Sequence, residues 1–168
     1  MEITLRFWQK EDAPVLAGYA NNPLIAQNLR DVFPSPYTKA DAEFFIGLCA
    51  KADPSREVLL AVEAGGKLAG SIGLTLGSDI QRKSAELGYW IAQPYWGQGV
   101  ATEAVRQMCR MGFEYYDIVR IWAQCFDGNT ASQKVLLKNG FELEGRLRKS
   151  IYKNDQLQDA LLYALIQE

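Results

Sequence analysis

The chain has 168 residues, 48% of them apolar and 23% charged, with a formal net charge of −2 at pH 7. That is the size and composition of one globular domain spanning residues 1–168, and it supplies no global field that would draw nucleic acid. The sequence contains no histidine, which excludes Ser-His, Cys-His and His-metal schemes built from this chain alone and leaves a carboxylate, a tyrosine, a lysine or water as any base.

In chain order, Glu2–Trp8 alternates as a strand with Ile3, Leu5 and Phe7 on one face. Glu11–Asn21 reads as a helix with Asp12 as its cap and Pro14 in the first turn, and Asn22-Pro23 interrupts it. After a loop over Asp31–Tyr37, Thr38-Lys39-Ala40-Asp41 has capping-box spacing ahead of a helix to about Lys51, ended by Asp53-Pro54-Ser55. Glu57–Ala64 and Lys67–Leu76 are strands joined by Gly65-Gly66, a hairpin signal. The strand Ser84–Ala92 turns Ala85, Leu87, Tyr89 and Ile91 one way and Glu86, Gly88 and Trp90 the other.

The helix Gln98–Tyr116 carries a stripe of Ala101, Ala104, Val105, Met108 and Gly112. Ile118–Phe126 is apolar and β-branched enough for a buried strand. Asn129–Asn139 is a short helix ended by Gly140, and Phe141–Tyr152 and Leu157–Ile166 are strands around the turn Asn154-Asp155-Gln156. The expected fold class is α/β, around a mixed, mostly antiparallel sheet. Ser84–Ala92, the following helix and Ile118–Phe126 form a βαβ unit, so those two strands should be parallel. No apolar run approaches the roughly 20 residues that cross a bilayer, and the start lacks a basic segment followed by an apolar one, so neither a membrane nor a signal peptide is expected. Cys49, Cys109 and Cys125 form no C-x-x-C pair, which predicts reduced thiols in a cytoplasm, with Cys109 and Cys125 as packing material.

The most informative stretch is Gly97-Gln98-Gly99-Val100-Ala101-Thr102, a strand-to-helix turn. Glycines at that spacing let backbone N–H groups approach an anion with the positive end of a helix dipole behind them. The turn lacks the Gly-Lys-Ser/Thr ending of a Walker A loop, and Thr102 stands where a dinucleotide fingerprint needs a small apolar residue. On these residues alone, an anion site and glycines that merely shape a tight turn and pack closely remain equally open.

The second half of the chain adds Ala85-Glu86-Leu87-Gly88-Tyr89-Trp90-Ile91, Tyr95-Trp96 ahead of the glycines, Asn129-Thr130-Ala131-Ser132 and Lys138-Asn139-Gly140-Phe141-Glu142. In order and spacing these resemble the GNAT superfamily of acetyl-CoA-dependent N-acetyltransferases. The Pro34-Ser35-Pro36-Tyr37-Thr38 loop and Glu144-Gly145-Arg146-Leu147-Arg148 are similar to the branch that acetylates ribosomal-protein N-termini. The resemblance covers nearly the whole chain. It implies a central sheet whose two parallel strands splay apart, flanked by helices.

It also implies that the N–H groups of Gly97, Gln98, Gly99, Val100, Ala101 and Thr102 bind the coenzyme A pyrophosphate, and that the backbone of Trp90, Ile91 and Ala92 holds the pantetheine arm and polarises the thioester carbonyl. The family usually begins the glycine motif with Gln or Arg, and Pro94 stands there as a branch variation. Asn129 is by default a helix cap, to which the resemblance adds a pantetheine contact. Many members place a tyrosine acid later in that helix; Leu136 occupies the position, which makes Ser132, alone or through water, the candidate for protonating the departing thiolate. Glu86 matches a family carboxylate and is the candidate base. It lies four residues from Trp90, roughly 13 Å at about 3.3 Å per residue, so it should act through water or grip the amine.

The acceptor is expected to be a primary amine, with a protein N-terminus favoured, and to be recognised among Asp31, Tyr37, Tyr152, Asp155 and Asp159; Asp159 is also a partner for Arg146 or Arg148. Attack should be direct, in a ternary complex, in a cytoplasmic monomer or homodimer. The alternatives are a small-molecule amine acceptor (polyamine, amino acid or antibiotic) and a non-catalytic acetyl-CoA sensor.

Overall fold

The computed structural model describes residues 1–168. Seven strands form one sheet: β1 (Ile3–Arg6), β2 (Glu57–Ala64), β3 (Lys67–Leu76), β4 (Ser84–Ile91), β5 (Arg120–Phe126), β6 (Glu142–Lys153) and β7 (Gln156–Ile166). Their order across the sheet is β1-β2-β3-β4-β5-β7-β6. Every neighbouring pair is antiparallel except β4 and β5, which are parallel as the βαβ reading requires. The helices are α1 (Ala13–Ala20), α2 (Pro23–Ala26), α3 (Lys39–Lys51), α4 (Val100–Tyr115) and α5 (Thr130–Lys138). No helix is long and apolar enough to cross a membrane.

The two faces of the sheet bury different cores. Helices α4 and α5 cover one face, where Val100, Ala104, Val105, Met108 and Cys109 of α4 meet Ile72, Leu74, Ala85, Leu87 and Ile121. The stripe recurs at three- and four-residue steps, as one buried helix face must. Gly112 belongs to it for a steric reason: a Cβ there would lie 2.6 Å from Leu74 Cδ1, so its absence lets α4 settle onto β3. Helices α1 and α3 cover the other face, around Leu16, Ala42, Ile46, Ala61 and Leu68, with Trp90, Phe33 and Trp8 packed against them. Period-two alternation therefore sends Leu87 and Ile91 of β4 to one core and Trp90 to the other.

Several boundaries differ from the sequence reading. Strand β1 stops at Arg6 rather than running to Trp8, since Phe7 is 78% exposed and Arg6 is held by Asp12 and Glu63. The expected helix Glu11–Asn21 divides into a 3-10 turn over Lys10–Asp12 and α1. Asp12 does not cap α1: its carboxylate accepts from Arg6 Nη1 and Nη2 at 2.8 and 2.9 Å and from Gln9 N–H at 2.8 Å. Burial works against ionising Asp12, and these three donors more than offset it, leaving the group below the usual carboxylate range.

Asn22-Pro23 does more than interrupt, because Asn22 Oδ1 accepts from Leu24 N–H at 3.0 Å and starts the short α2. The Thr38 capping box of α3 forms as read, with Thr38 Oγ1 accepting from Asp41 N–H and Asp41 Oδ2 from Thr38 N–H. Helix α4 begins at Val100 rather than Gln98, because Gly97 and Gly99 are left-handed at φ 72° and 77°. The β6–β7 turn is the two residues Asn154 and Asp155, both at positive φ, the hairpin geometry that matches strand twist.

Candidate active site

Strands β4 and β5 pair only at Ser84–Arg120, Ala85–Ile121 and Glu86–Trp122. Beyond Glu86 they diverge, and the edge of β4 from Leu87 onward faces an open fork. Which of its peptide groups point there follows from the β3 ladder. Ala92 N–H donates to Ala69 C=O at 2.7 Å, so the backbone groups of Ala92 and, by alternation, Trp90 face β3. Those of Tyr89 and Ile91 face the fork. Ala92 C=O accepts from Tyr95 N–H at 2.9 Å, and Ile91 C=O accepts from Trp96 Nε1 at 2.7 Å. The three residues named for the arm, Trp90, Ile91 and Ala92, thus differ in where their backbone points. The backbone of Ala92 is fully engaged, Trp90 turns its peptide away, and the Ile91 N–H is the donor aimed into the fork. Trp90 instead contributes its ring, which meets Phe33 edge-to-face at 5.9 Å.

At the mouth of the fork, nothing lies within 4 Å of a Cβ placed on Gly97 or Gly99. The glycines are thus there for their left-handed backbone and not for close packing. The first intrahelical bond of α4 runs from Glu103 N–H to Gly99 C=O at 3.1 Å, so the N–H groups of Val100, Ala101 and Thr102 have no helical acceptor. Gln98 folds its side chain back onto Pro94 C=O at 2.8 Å and offers only its backbone to the turn. Glu103 in the first turn is held at about 2 by its bonds from Arg106 and Gln107. Asn139, ending α5, donates to Thr102 C=O at 3.2 Å and ties the two helices together.

The start of α5 supplies the third group. Asn129 Oδ1 accepts from Ser132 N–H at 3.2 Å, the capping role read for it. The Ser132 and Tyr89 hydroxyl oxygens lie 2.7 Å apart, a hydrogen bond from α5 to β4. Leu136 is fully buried in the core. Sequence reasoning missed Tyr89 as a functional candidate, because on an alternating strand it reads as core. The one available signal was a hydroxyl on an otherwise apolar face. Burial pushes the Tyr89 phenol up to about 12, with the Ser132 bond pulling the other way, so the group holds its proton at neutral pH.

Glu86 sits at the vertex, 28% exposed, with Arg30 Nη2 3.1 Å from its Oε2. Of the acceptor candidates, Asp31 takes the buried Lys153 ammonium at 2.9 Å, Asp155 accepts from the Tyr152 hydroxyl at 3.1 Å, and Asp159 binds Arg146 at 2.8 Å and accepts from Lys149 N–H. Tyr37 is buried with its N–H on Asn21 Oδ1. Asp159 is therefore a structural partner of Arg146, and Glu86 is the acid placed at the fork. Burial pushes the Cys109 and Cys125 thiols up to about 12 and about 11, as packing residues would be.

The sheet is thus open at its one parallel pair, with helix N–H groups that lack a helical acceptor at the mouth and a hydroxyl pair linking β4 to α5. The family model described as an acetyltransferase (GNAT) domain matches residues 2–142, and the chain belongs to that family of acetyl-CoA-dependent N-acetyltransferases. The chain is 31% identical to YdaF of Bacillus subtilis (strain 168), provisionally named a ribosomal N-acetyltransferase, over 98% of this chain and 91% of that one. It is 36% identical to the ribosomal-protein-serine acetyltransferase of Escherichia coli (strain K12) over half of this chain and 47% of the relative. Its fold matches the solved structure of RimL, a ribosomal L7/L12 α-N-protein acetyltransferase in complex with coenzyme A, with a TM-score of 0.86 at 23% identity over 98% of this chain and 94% of that one.

Proposed function

We propose that residues 1–168 act as one unit that moves an acetyl group from acetyl-CoA directly to a primary amine, favouring the α-amine of a protein N-terminus, in the cytoplasm. The observation that carries this reading is the divergence of β4 from β5 at Glu86 and Trp122, which leaves one open edge between the anion-binding turn and the Ser132 hydroxyl. The names of the two bacterial relatives support the protein N-terminus as acceptor.

When bound, acetyl-CoA supplies an acyl thioester, an electrophile that an unprotonated amine attacks. The N–H groups of Val100, Ala101 and Thr102, with the Gly97–Gly99 backbone, would hold its pyrophosphate. The Ile91 N–H, pointing into the fork, stabilises negative charge developing on the carbonyl oxygen. Asn129 and Ser132 line the path of the pantetheine arm. Ser132 hands its proton to the departing sulfur and is replenished from Tyr89 behind it. Glu86 receives the amine's proton through water. No side-chain nucleophile is needed, and the buried thiols remain protonated spectators.

The test is thiol release from acetyl-CoA across N-terminal peptides, polyamines, amino acids and aminoglycosides. Release that depends on peptides with a free N-terminus is expected. Release with small amines alone would move the acceptor to that class, and coenzyme binding with no release from any amine would overturn the enzymatic reading.

A further inference from the structure

On the face of β4 turned towards α1 and α3, the residues in order are Glu86, Gly88 and Trp90. A Cβ built on Gly88 would meet nothing within 4 Å, so the sheet surface there is open. Its register partner on β3 is Gly73, where a Cβ would lie 2.7 Å from Leu59 Cδ2; that neighbour is covered. The opening over Gly88 is thus bounded on the β3 side by Leu59, and it lies between a carboxylate and an aromatic ring on its own strand. The loop after α2 touches both ends: Arg30 Nη2 lies 3.1 Å from Glu86 Oε2, and the Phe33 ring packs on Trp90. The same loop is fastened from the far side of the sheet, because Asp31 takes the Lys153 ammonium of β6.

We propose that Arg30 is a built-in stand-in for the acceptor: its guanidinium holds Glu86 until a cationic primary amine, entering the subsite over Gly88, displaces it. This rests on the transferase reading above. Three observations carry it together. Glu86 lies at the last paired position of β4 and β5, so a cation bound to it is next to the fork. Gly88 leaves room for a stem but supplies no side chain to fill the space. The Arg30 side chain is 77% exposed, so the contact it gives up is a weak surface ion pair, worth no more than about a factor of five in an equilibrium. An amine entering here exchanges one cation for another and leaves Glu86 paired throughout. Gly88 lies roughly 7 Å along the strand from Glu86 at about 3.3 Å per residue, half the span to Trp90.

The experiment is steady-state kinetics of Arg30→Gln and Gly88→Val with a short peptide bearing a free N-terminal serine and, separately, with spermidine, alongside calorimetry of acetyl-CoA binding as the check on folding. Arg30→Gln should lower the acceptor KM about two- to fivefold with kcat within about twofold, and the difference should shrink at high salt as the ion pair is screened. Gly88→Val should raise KM at least about tenfold with the acetyl-CoA Kd unchanged, since a branched side chain fills the opening. An effect with the peptide alone assigns the subsite to an α-ammonium; an effect with spermidine alone assigns it to a polyamine. A KM that Arg30→Gln leaves unchanged or raises, or a Gly88→Val enzyme with normal acetyl-CoA affinity and normal KM, overturns the proposal. Should the wild type transfer acetyl to neither amine, the wider amine panel decides the transferase reading separately. Calorimetry of both amines against coenzyme A-loaded protein then decides the subsite: tighter binding to Arg30→Gln sustains it, and equal or absent binding overturns it.

Discussion

Ser132 is one of two hydroxyls within 2.7 Å of each other, and the pair explains how a helix with leucine at position 136 still offers a proton donor. Ser132→Ala is expected to lower kcat about 10- to 100-fold, less than the full range for proton transfer because water can substitute. Tyr89→Phe keeps the ring in the core and should lower kcat about tenfold, with the acetyl-CoA Kd within about twofold. If the two act as one relay, the double variant loses no more than Ser132→Ala alone. Rates and Kd values of the three variants check this, and fully multiplicative losses would mean that the hydroxyls act independently. Ser132 and Asn129 were legible in the sequence because a helix start announces itself by its cap. Tyr89 and Arg30 were not. One sits in an alternating strand where a tyrosine reads as core, and the other finds its partner 56 residues away, a pairing that no local pattern encodes.

The turn between β4 and α4 shows what a local element can and cannot disclose. Its glycine spacing pointed to an anion site, and the positive φ values at Gly97 and Gly99 agree. Its helix boundary was placed two residues early because the pattern of apolar residues does not register where the backbone becomes right-handed. Gly99→Ala meets no steric obstacle, so its cost is conformational, about 1–2 kcal/mol for a left-handed residue with a side chain. The expected result is a lower thermal midpoint and an acetyl-CoA Kd raised at least about fivefold as the Val100–Thr102 donors are re-aimed; scanning calorimetry and titration calorimetry read the two effects. A lowered midpoint with unchanged Kd would separate the turn from the coenzyme. The short α2 escaped the sequence reading because Asn22-Pro23 is at once a helix stop and a helix start, and only the Asn22 bond to Leu24 N–H distinguishes them.

For the whole molecule, the sequence disclosed one parallel pair in a mostly antiparallel sheet but not the insertion of β7 between β5 and β6, which depends on pairings formed between distant parts of the chain. Burial has a second consequence at this scale. It pushes Cys109 and Tyr89 up to about 12 and Cys125 to about 11, whereas in the unfolded chain such groups titrate near about 8.5 for cysteine and 10 for tyrosine. The folded state therefore binds these protons more tightly. The stability they contribute is whole below about pH 8.5 and is lost as pH rises towards 11–12. Urea midpoints should be level between pH 7 and 8 and fall steadily from pH 9 to 11; a level midpoint throughout would show that these groups are hydrated in the fold.

The short β4–β5 pairing also has a mechanical meaning. Seven register positions join β3 to β4 and seven join β5 to β7, but three join β4 to β5. The sheet is two panels, β1 to β4 and β5 with β7 and β6, sewn along a seam that is stitched at one end only. Helix α4 spans that seam as a lintel, with Gly112 laid against Leu74 of one panel and Ile121 of the other. Past the Glu86–Trp122 stitch no register position joins the two panels. A ligand lying along the free edge of β4 would complete the sewing and so fasten the molecule that holds it.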